Sequence, residues 1–429
     1  MYLTQTNVIR NLNKKEFQAI KDMCHYSNNL YNYGLYCIRK HYFETNQFLS
    51  YESNYHVCKE NENYALLQAG VSQQILRVLD RSFKSFFDLI RKAKCGEYHC
   101  HDISIPHYRT KGGLFLLVLQ KNSISVKKGF FKVPMSREFK KLHNFDIKIP
   151  YPVRLLNKEL KEVRILPCSG GRVFKIQYVY EEPEINFNLK RDNFLAIDLG
   201  VDNLATCVSN VRTPFIVDGR NLKSINWHWN KEKARLQSVL DKQHVKGGKS
   251  NKIYAITEKR NRRINDSIKK AARYIINDCI ANDIGTLVVG YNKDFKRNIN
   301  IGKRNNQSFV QLPLGDLRLQ LRNLCERYGM NYIEQEESYT SKASYMDNDF
   351  LPVYRSEQRS TRNFSGKRIH RGLYKTKDGN LINADVNGAA NISRKVNGSN
   401  LQPCIGLLAS PQRIRLSEQT SLESLMVKH

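Results

Sequence analysis

Between Val71 and Ile90 the chain reads VSQQILRVLDRSFKSFFDLI, and Val71, Ile75, Val78, Leu79, Phe83, Phe86 and Phe87 recur at spacings of three and four with basic residues between them. That period predicts an amphipathic helix. It is the clearest part of a helical block from Lys14 to about Lys94, which follows a short predicted strand at Tyr2 to Ile9. From Ser104 to about Val179 the period falls to two: LFLLVLQ, ISVKKGFFKVP, FDIKI, VRILP and VFKIQYVY are short β runs parted by Gly, Pro and Lys. Many short strands at close spacing predict a barrel or sandwich, with the helical block inserted after its first strand. Glu181 to Asp192 (EEPEINFNLKRD) is polar, contains Pro183 and predicts a linker.

Beyond the linker, strands are predicted at Phe194 to Leu199, Ala205 to Ser209 and Pro214 to Val217. Two long basic helices follow, roughly Lys223 to Lys242 and Lys252 to Asn282, parted by VKGGKSN. Then come a strand at Gly285 to Val289, a helix at Leu312 to Tyr328, a strand at Met330 to Gln335 and a helix at Ala384 to Lys395. Three strands, helix, strand, helix, strand, helix is the order of an RNase H-like α/β domain. Residues after Val396 have no clear period and predict a poorly ordered tail.

Composition narrows the function classes. The length of 429 residues allows two or three domains. Seventy basic against 40 acidic side chains give a net charge of +30, which favours a polyanionic partner and above all nucleic acid. A hydrophobic share of 41%, with 23 Tyr and 19 Phe, is too apolar for a disordered basic tail protein. No apolar run reaches the roughly 18 residues of a membrane span, and MYLTQTNVIRNLNKKE has no apolar signal region, so neither secretion nor membrane insertion is expected. Ten scattered cysteines read as reduced thiols in the cytosol.

Two acids stand out. Asp198 ends the apolar run of FLAIDLGVDNLATC, where burial is costly unless the carboxylate is paired, hydrogen-bonded or ligating a metal. Asp385 opens the helix of NADVNGAANI, whose Gly388, Ala389 and Ile392 form a face small enough to sit close to a sheet. Taken singly, Asp198 equally fits a hairpin cap and Asp385 a carboxylate favoured by the helix dipole. Only the pair, in this order, is specific.

LAIDLGVDNLATCVSN, VDGRNLKSIN, ESYTSKAS and LINADVNGAANI resemble the RuvC-type nuclease of transposon-encoded TnpB proteins, relatives of the compact type V CRISPR effectors. Upstream, SQQILRVLDRSFKSFF and SIPHYR resemble the recognition helix and return strand of the TnpB amino-terminal half, so the resemblance runs from the first strand to about Arg394. It implies a multidomain α+β protein. An oligonucleotide-binding β-barrel (1–12 and 104–182) would carry an inserted helical recognition block (13–103) and be joined by a linker (183–192) to an RNase H-like (RuvC) α/β nuclease domain (193–340 and 383–396). A target-binding insertion (341–382) and the tail (397–429) complete it. It further implies an RNA-guided DNA endonuclease, monomeric and cytoplasmic in a prokaryote near the nucleoid, with guide RNA and target double-stranded DNA as partners and no membrane. Its carboxylates would hold two Mg²⁺ ions, with Mn²⁺ as substitute, and cleavage would fall beside a short target-adjacent motif.

The sequence departs from that family twice. The family's second carboxylate ends the fourth strand in apolar residues followed by Glu-Asp-Leu, whereas this strand reads TLVVGYNKDF with Gly290 in the glutamate's place. Fourth and fifth strands of such a sheet are neighbours about 4.8 Å apart, within reach of a glutamate side chain. The fifth strand ends in MNYIEQEESYTSK, where Glu334, Glu336 and Glu337 compete for the role; alternation sets Glu334 and Glu336 on one face and Glu337 on the other or past the strand end. The reading favoured here takes Asp198, Glu337 and Asp385 as catalytic metal ligands, against an ordinary acidic strand terminus at Glu337. Secondly, the family's zinc ribbon is gone: no cysteine occurs between Tyr339 and Asp385, so no zinc is expected there. Lys342, Lys367, Arg368 and Arg371 would keep a nucleic-acid-binding role in that insertion, as Lys293, Lys296, Arg297, Lys303 and Arg304 would in NKDFKRNINIGKRNNQSF, against the plainer reading of a solvated basic face. Cys95, His99, Cys100 and His101 are crowded into one short stretch and read as a turn. The competing functions are a nuclease-dead RNA-guided DNA-binding regulator, for which Gly290 is decisive, and a basic structural RNA-binding protein.

Overall fold

The computed structural model describes residues 1–243, 250–292, 311–352, 364–370, 372–398 and 408–416. The chain divides into two compact units, Met1–Pro183 and Glu184–His429. Among the described residues no helix is long and apolar enough to cross a membrane.

In the first unit, strand β1 (Tyr2–Val8) leads into helices α1 (Lys14–Thr45), α2 (Tyr51–Cys58), α3 (Glu62–Leu66) and α4 (Ala69–Lys94). Helix α1 starts where Asn13 and Glu16 form a reciprocal capping box, each side chain accepting from the other's backbone N–H at 2.9 Å. It stops at Asn46, which adopts a left-handed φ of 55°. Val71, Ile75, Leu79 and Phe83 bury the predicted stripe of α4 in the same core as Ile20, Leu30 and Ile38 of α1. Strands β2 (Leu117–Gln120), β3 (Ser125–Lys127) and β4 (Phe130–Lys132), helix α5 (Arg137–Leu142), and strands β5 (Lys148–Pro150), β6 (Leu160–Cys168) and β7 (Val173–Glu181) complete the unit.

Strand β1 does join the later strands, pairing antiparallel with β7 in a sheet of order β1-β7-β6-β2, while β3-β4-β5 form a second sheet. The expected β-barrel is corrected here, because no closed barrel forms among the described residues. Strands β1 and β2 remain the edges of the four-stranded sheet, and neither pairs with the three-residue strands of β3-β4-β5. The sheets instead meet through aromatic side chains: Phe131 of β4 and Tyr151 lie edge-on to the fully buried Tyr178 of β7, at ring separations of 6.5 and 5.4 Å. Cys95 and Cys100 are exposed beside a short turn of helix at Cys100–Asp102.

The second unit contains β8 (Phe194–Leu199), β9 (Asn203–Ser209), β10 (Phe215–Asp218), α6 (Arg220–Lys242), α7 (Asn251–Ala281), β11 (Thr286–Tyr291), α8 (Leu314–Arg327) and β12 (Asn331–Glu336). Strands β13 (Lys367–His370), β14 (Leu373–Lys375) and β15 (Leu381–Asn383), helix α9 (Ala384–Asn397) and strand β16 (Gln412–Ile414) follow. Its main sheet has the order β12-β11-β8-β9-β10-β16, with β8, β9 and β10 antiparallel and β11 and β12 parallel to β8. Leu195 and Ile197 turn towards Ile268, Ile275 and Leu321 of α7 and α8, and the alternate Ala196 packs with Val288 of β11 and Ile392 of α9. By that alternation Asp198 and Gly290 share the face that carries α9.

The tail expectation needs amending: Gln412–Ile414 pair in parallel with Phe215–Val217, the outer edge of β10 supplying hydrogen-bond partners that the short QRI segment could not find alone. The insertion has a three-stranded sheet, β13-β14-β15, and a knot of hydrogen bonds. Asp349 accepts from the Ser344 N–H at 2.6 Å and the Ser365 hydroxyl at 2.6 Å, and Asp347 accepts from the Lys377 N–H at 2.9 Å. Charge-assisted bonds of this kind are worth about 1.5–3 kcal/mol each. Asp349→Ala should therefore lower stability by about 3 kcal/mol and make 341–382 the first site of limited proteolysis, whereas treating the wild type with a chelator should do neither.

Candidate active site

Asp198 projects from β8 towards the opening of α9. Gly388, one turn into that helix, is the reason they approach so closely: a Cβ there would stand 2.9 Å from Asp198 Oδ2. Two buried amides on the neighbouring face of α9 fix the segment after β12. Asn387 accepts from the Tyr345 N–H at 2.9 Å and donates to the Ala343 carbonyl at 2.8 Å, and Asn391 donates to Thr340 and Ala343 carbonyls at 2.9 and 2.8 Å. Thus ESYTSKAS and NADVNGAANI, far apart in the chain, hold each other and deliver residue 337 to the sheet edge.

Glu337 lies one residue past β12, and its carboxylate stands where a fourth-strand side chain would otherwise be. A Cβ on Gly290 would come within 2.6 Å of Glu337 Oε2 and of Ile392 Cδ1, and 3.3 Å from the Ile197 carbonyl. The other two glutamates are engaged elsewhere. Glu334 faces α8, paired with Arg322 at 2.9 Å and Arg318 at 3.5 Å and accepting from the Tyr332 hydroxyl at 3.1 Å. Glu336 accepts from Lys395 at 2.7 Å and from the Ser338 N–H at 2.8 Å. The expected sharing of a face by Glu334 and Glu336 is therefore corrected: the strand ends there, and the ammonium of Lys395 draws Glu336 towards α9.

Charge separates these acids further. Burial, then the nearby charges of Glu337 and Asp385, push the Asp198 carboxyl well above its usual range, with Arg368 opposing. Burial and the Glu336 charge raise Glu337 from 4.5 to about 7, against Arg318 and Lys395. Glu336 goes the other way: burial raises it, but Lys395 and Ser338 together hold it below the usual carboxylate value. Asp385 is held by two donors, Asn203 Nδ2 at 2.6 Å from Oδ2 and Arg368 at 3.0 Å from Oδ1. Asn203 is in turn oriented by Arg413, which donates to its Oδ1 at 3.0 Å.

Partly buried carboxylates on a face opened by Gly290 and Gly388 form a donor set of hard oxygens that fits divalent cations such as Mg²⁺. Asp198, Glu337 and Asp385 would hold them. Among the described residues, however, no three His, Cys, Asp or Glu groups stand together as a finished metal cluster. In the cation-free protein the raised acids oppose stability once ionised. Their penalty sets in as pH rises past the ordinary values of 3.8 and 4.5, where the unfolded chain ionises, and for Glu337 is fully present above about 7, where the folded chain also loses that proton. Asp198→Asn should then melt several degrees above the wild type at pH 8 in chelator, at roughly 2–4 °C per kcal/mol, and draw level with it at about pH 3, below the ordinary aspartate value. A lower melting point at pH 8 would contradict these charges.

Of the residues expected to meet nucleic acid, Lys342 and Lys367 are exposed on the insertion, and Arg368 instead faces Asp385. Lys293, Lys296, Arg297, Lys303, Arg304 and Arg371 lie outside the described residues. Asn203, Asn387 and Asn391 were not singled out from sequence; the only signal was the recurrence of Asn within LGVDNLAT and ADVNGAANI, without any indication of partners.

Comparison with known proteins adds independent findings. A family model described as a probable transposase (OrfB_IS605) matches residues 177–296, and one described as the Cas12f1-like TNB domain matches residues 315–392. The TnpB-like protein ORF457 of Acidianus two-tailed virus is 23% identical over 425 residues, covering 92% of this chain and 87% of that protein. A Cas12f1 chain, solved as the Cas12f1–sgRNA–target DNA complex, has a similar fold with a TM-score of 0.56 at 17% identity, covering 88% of this chain and 81% of that one.

Proposed function

The chain is a TnpB-family protein related to the type V effectors, and from that premise we propose that it is an RNA-guided DNA endonuclease of RuvC type. It cuts a target beside a short adjacent motif, with Asp198, Glu337 and Asp385 as the ligands of two Mg²⁺ ions. The observation that carries the reading is the seat of Glu337 in the space left by Gly290, beside Asp198. A chain relieved of catalysis has no physical need to keep two half-buried carboxylates whose proton affinity burial raises, one of them raised further by the charge of the other, and this weighs against the nuclease-dead regulator.

Bound cations would supply Lewis-acid stabilisation of the charge that develops on the scissile phosphate. The protein's part is positional. Asn387 and Asn391 hold the segment bearing Glu337, Gly388 lets α9 bring Asp385 up to β8, and Asn203 fixes the orientation of Asp385. Lys395 neutralises Glu336 and keeps it out of the site. Sequence choice falls to base pairing with the guide, for which the net charge of +30 provides the phosphate attraction.

Protein purified from cells carrying its native flanking DNA tests the proposal. It should retain one discrete RNA, with affinity falling steeply as salt rises, and the complex should cut matching duplex DNA in Mg²⁺ or Mn²⁺ and not in chelator. Recovery of mixed bulk RNA would refute the guide, and guided binding without cleavage in either metal would favour the regulator.

A further inference from the structure

Asp385 differs from its two companions in having both carboxylate oxygens occupied. Arg368 donates to Oδ1 at 3.0 Å and Asn203 to Oδ2 at 2.6 Å, whereas among the described residues no donor is paired with the carboxylates of Asp198 and Glu337. The two donors are mounted differently. Asn203 belongs to a central strand of the main sheet and is itself braced by Arg413. Arg368 belongs to β13, an edge strand of the insertion, whose register shifts between Arg368 and His370 and whose side chains are mostly exposed. The strand beneath is anchored: Tyr374, opposite Arg368, is fully buried and its hydroxyl donates to the Lys342 carbonyl at 2.9 Å. Arg368 is thus a cation on a releasable edge, held against a firm base.

We propose that Arg368 is a latch that keeps Asp385 out of the cation site until nucleic acid takes its guanidinium. The inference rests on the carboxylate-site reading above and adds its regulation. The guanidinium occupies one of the two Asp385 oxygens, and its positive charge repels a cation. The latch is also weak enough to open. With Arg368 40% and Asp385 27% exposed, the pair belongs to the class worth about 1 kcal/mol or less. A strand phosphate offers the same fork geometry with more charge, and the exposed Lys367 and Lys342 of the insertion would help to draw it in. Displacement frees Oδ1 and completes the ligand set, so that target arrival and cation capture reinforce each other.

The test is Mn²⁺ binding by the full chain freed of RNA, read from the loss of the free-ion paramagnetic resonance signal, with and without a decathymidylate strand. Asp385→Asn supplies the background due to DNA and nonspecific sites. Without DNA, Arg368→Ala and Arg368→Gln should bind Mn²⁺ about fivefold more tightly than the wild type, as removal of a pair worth about 1 kcal/mol requires. DNA should then tighten the wild type more than either variant. Thermal melting in chelator establishes that the variants are folded, and two substitutions guard against one that is not. If both bind Mn²⁺ no better than the wild type while Asp385→Asn binds less, the latch is wrong and the carboxylate site stands. If Asp385→Asn binds Mn²⁺ as tightly as the wild type and as both Arg368 variants, with DNA as well as without it, the site itself is wrong.

Discussion

A Glu337→Gln chain should cut its target about a thousandfold or more slowly than the wild type while binding guide RNA and target unchanged, since a ligand to catalytic cations supplies several kcal/mol of transition-state stabilisation. The amide keeps the shape of the side chain and removes its charge, so the loss reports on ligation rather than packing. Asp198→Asn and Asp385→Asn should fall as far, and pairing either with Glu337→Gln should add little, because disabling one member of a catalytic unit disables the whole. Glu334→Gln is the clean control: it loosens contacts with Arg318 and Arg322 on the opposite face and should leave cleavage within about threefold of wild type. Glu336→Gln is a poorer control, since it strips the counter-charge from Lys395, which is only 6% exposed. A Glu337→Gln chain with ordinary cleavage would refute the ligand assignment.

Adding one methyl group at Gly290 should be nearly as damaging. In Gly290→Ala the new Cβ meets Glu337 Oε2 and Ile392 Cδ1, each at 2.6 Å, and both are free ends of side chains able to swing aside. The chain should therefore fold with a stability loss of about 1–3 kcal/mol, typical of overpacking, yet lose cleavage by about a hundredfold because the carboxylate is pushed from its seat. The double variant Gly290→Ala/Ile392→Val removes one of the two clashing atoms and should regain stability without regaining activity. Gly290→Glu combined with Glu337→Gly goes further, returning the carboxylate to the fourth strand, and measurable cleavage by it would establish that the space matters and not the position that fills it. Melting curves and guided cleavage, measured together, separate these outcomes.

Helix and strand placement in the second unit was legible wherever an element carries its own apolar period: Phe194–Leu199 forms as predicted, and α7 begins and ends within a residue or so of the pattern. Barrel closure was not, since it depends on how far β3 to β5 extend and which edges they meet, and alternation is silent on both. Strand β16 has no period at all and exists only because β10 offers it an edge. At the site, Asp198 stood out as an acid ending an apolar run and Asp385 as an acid opening a small-faced helix, specific only as a pair, and Gly290 pointed next door. The partners of the acids were hidden. Arg368 reads in sequence as one more surface cation, and Asn203 as one more turn residue; each finds Asp385 only once strand and helix are folded together.

The edge strand contributed by Gln412–Ile414 sets a limit on how compact a working version of this protein can be made. Cutting the chain back to Val396 would leave Phe215–Asp218 with an open row of backbone groups, a template for strand addition between molecules. The same cut would take away Arg413, and with it the brace that turns the Asn203 amide towards Asp385. Solubility and active-site order would be lost in one step, although no described residue among those removed is hydrogen-bonded to the candidate ligands. A delivery-sized variant is therefore better trimmed elsewhere, and a fusion partner attached beyond Leu416 leaves both the edge and the brace in place.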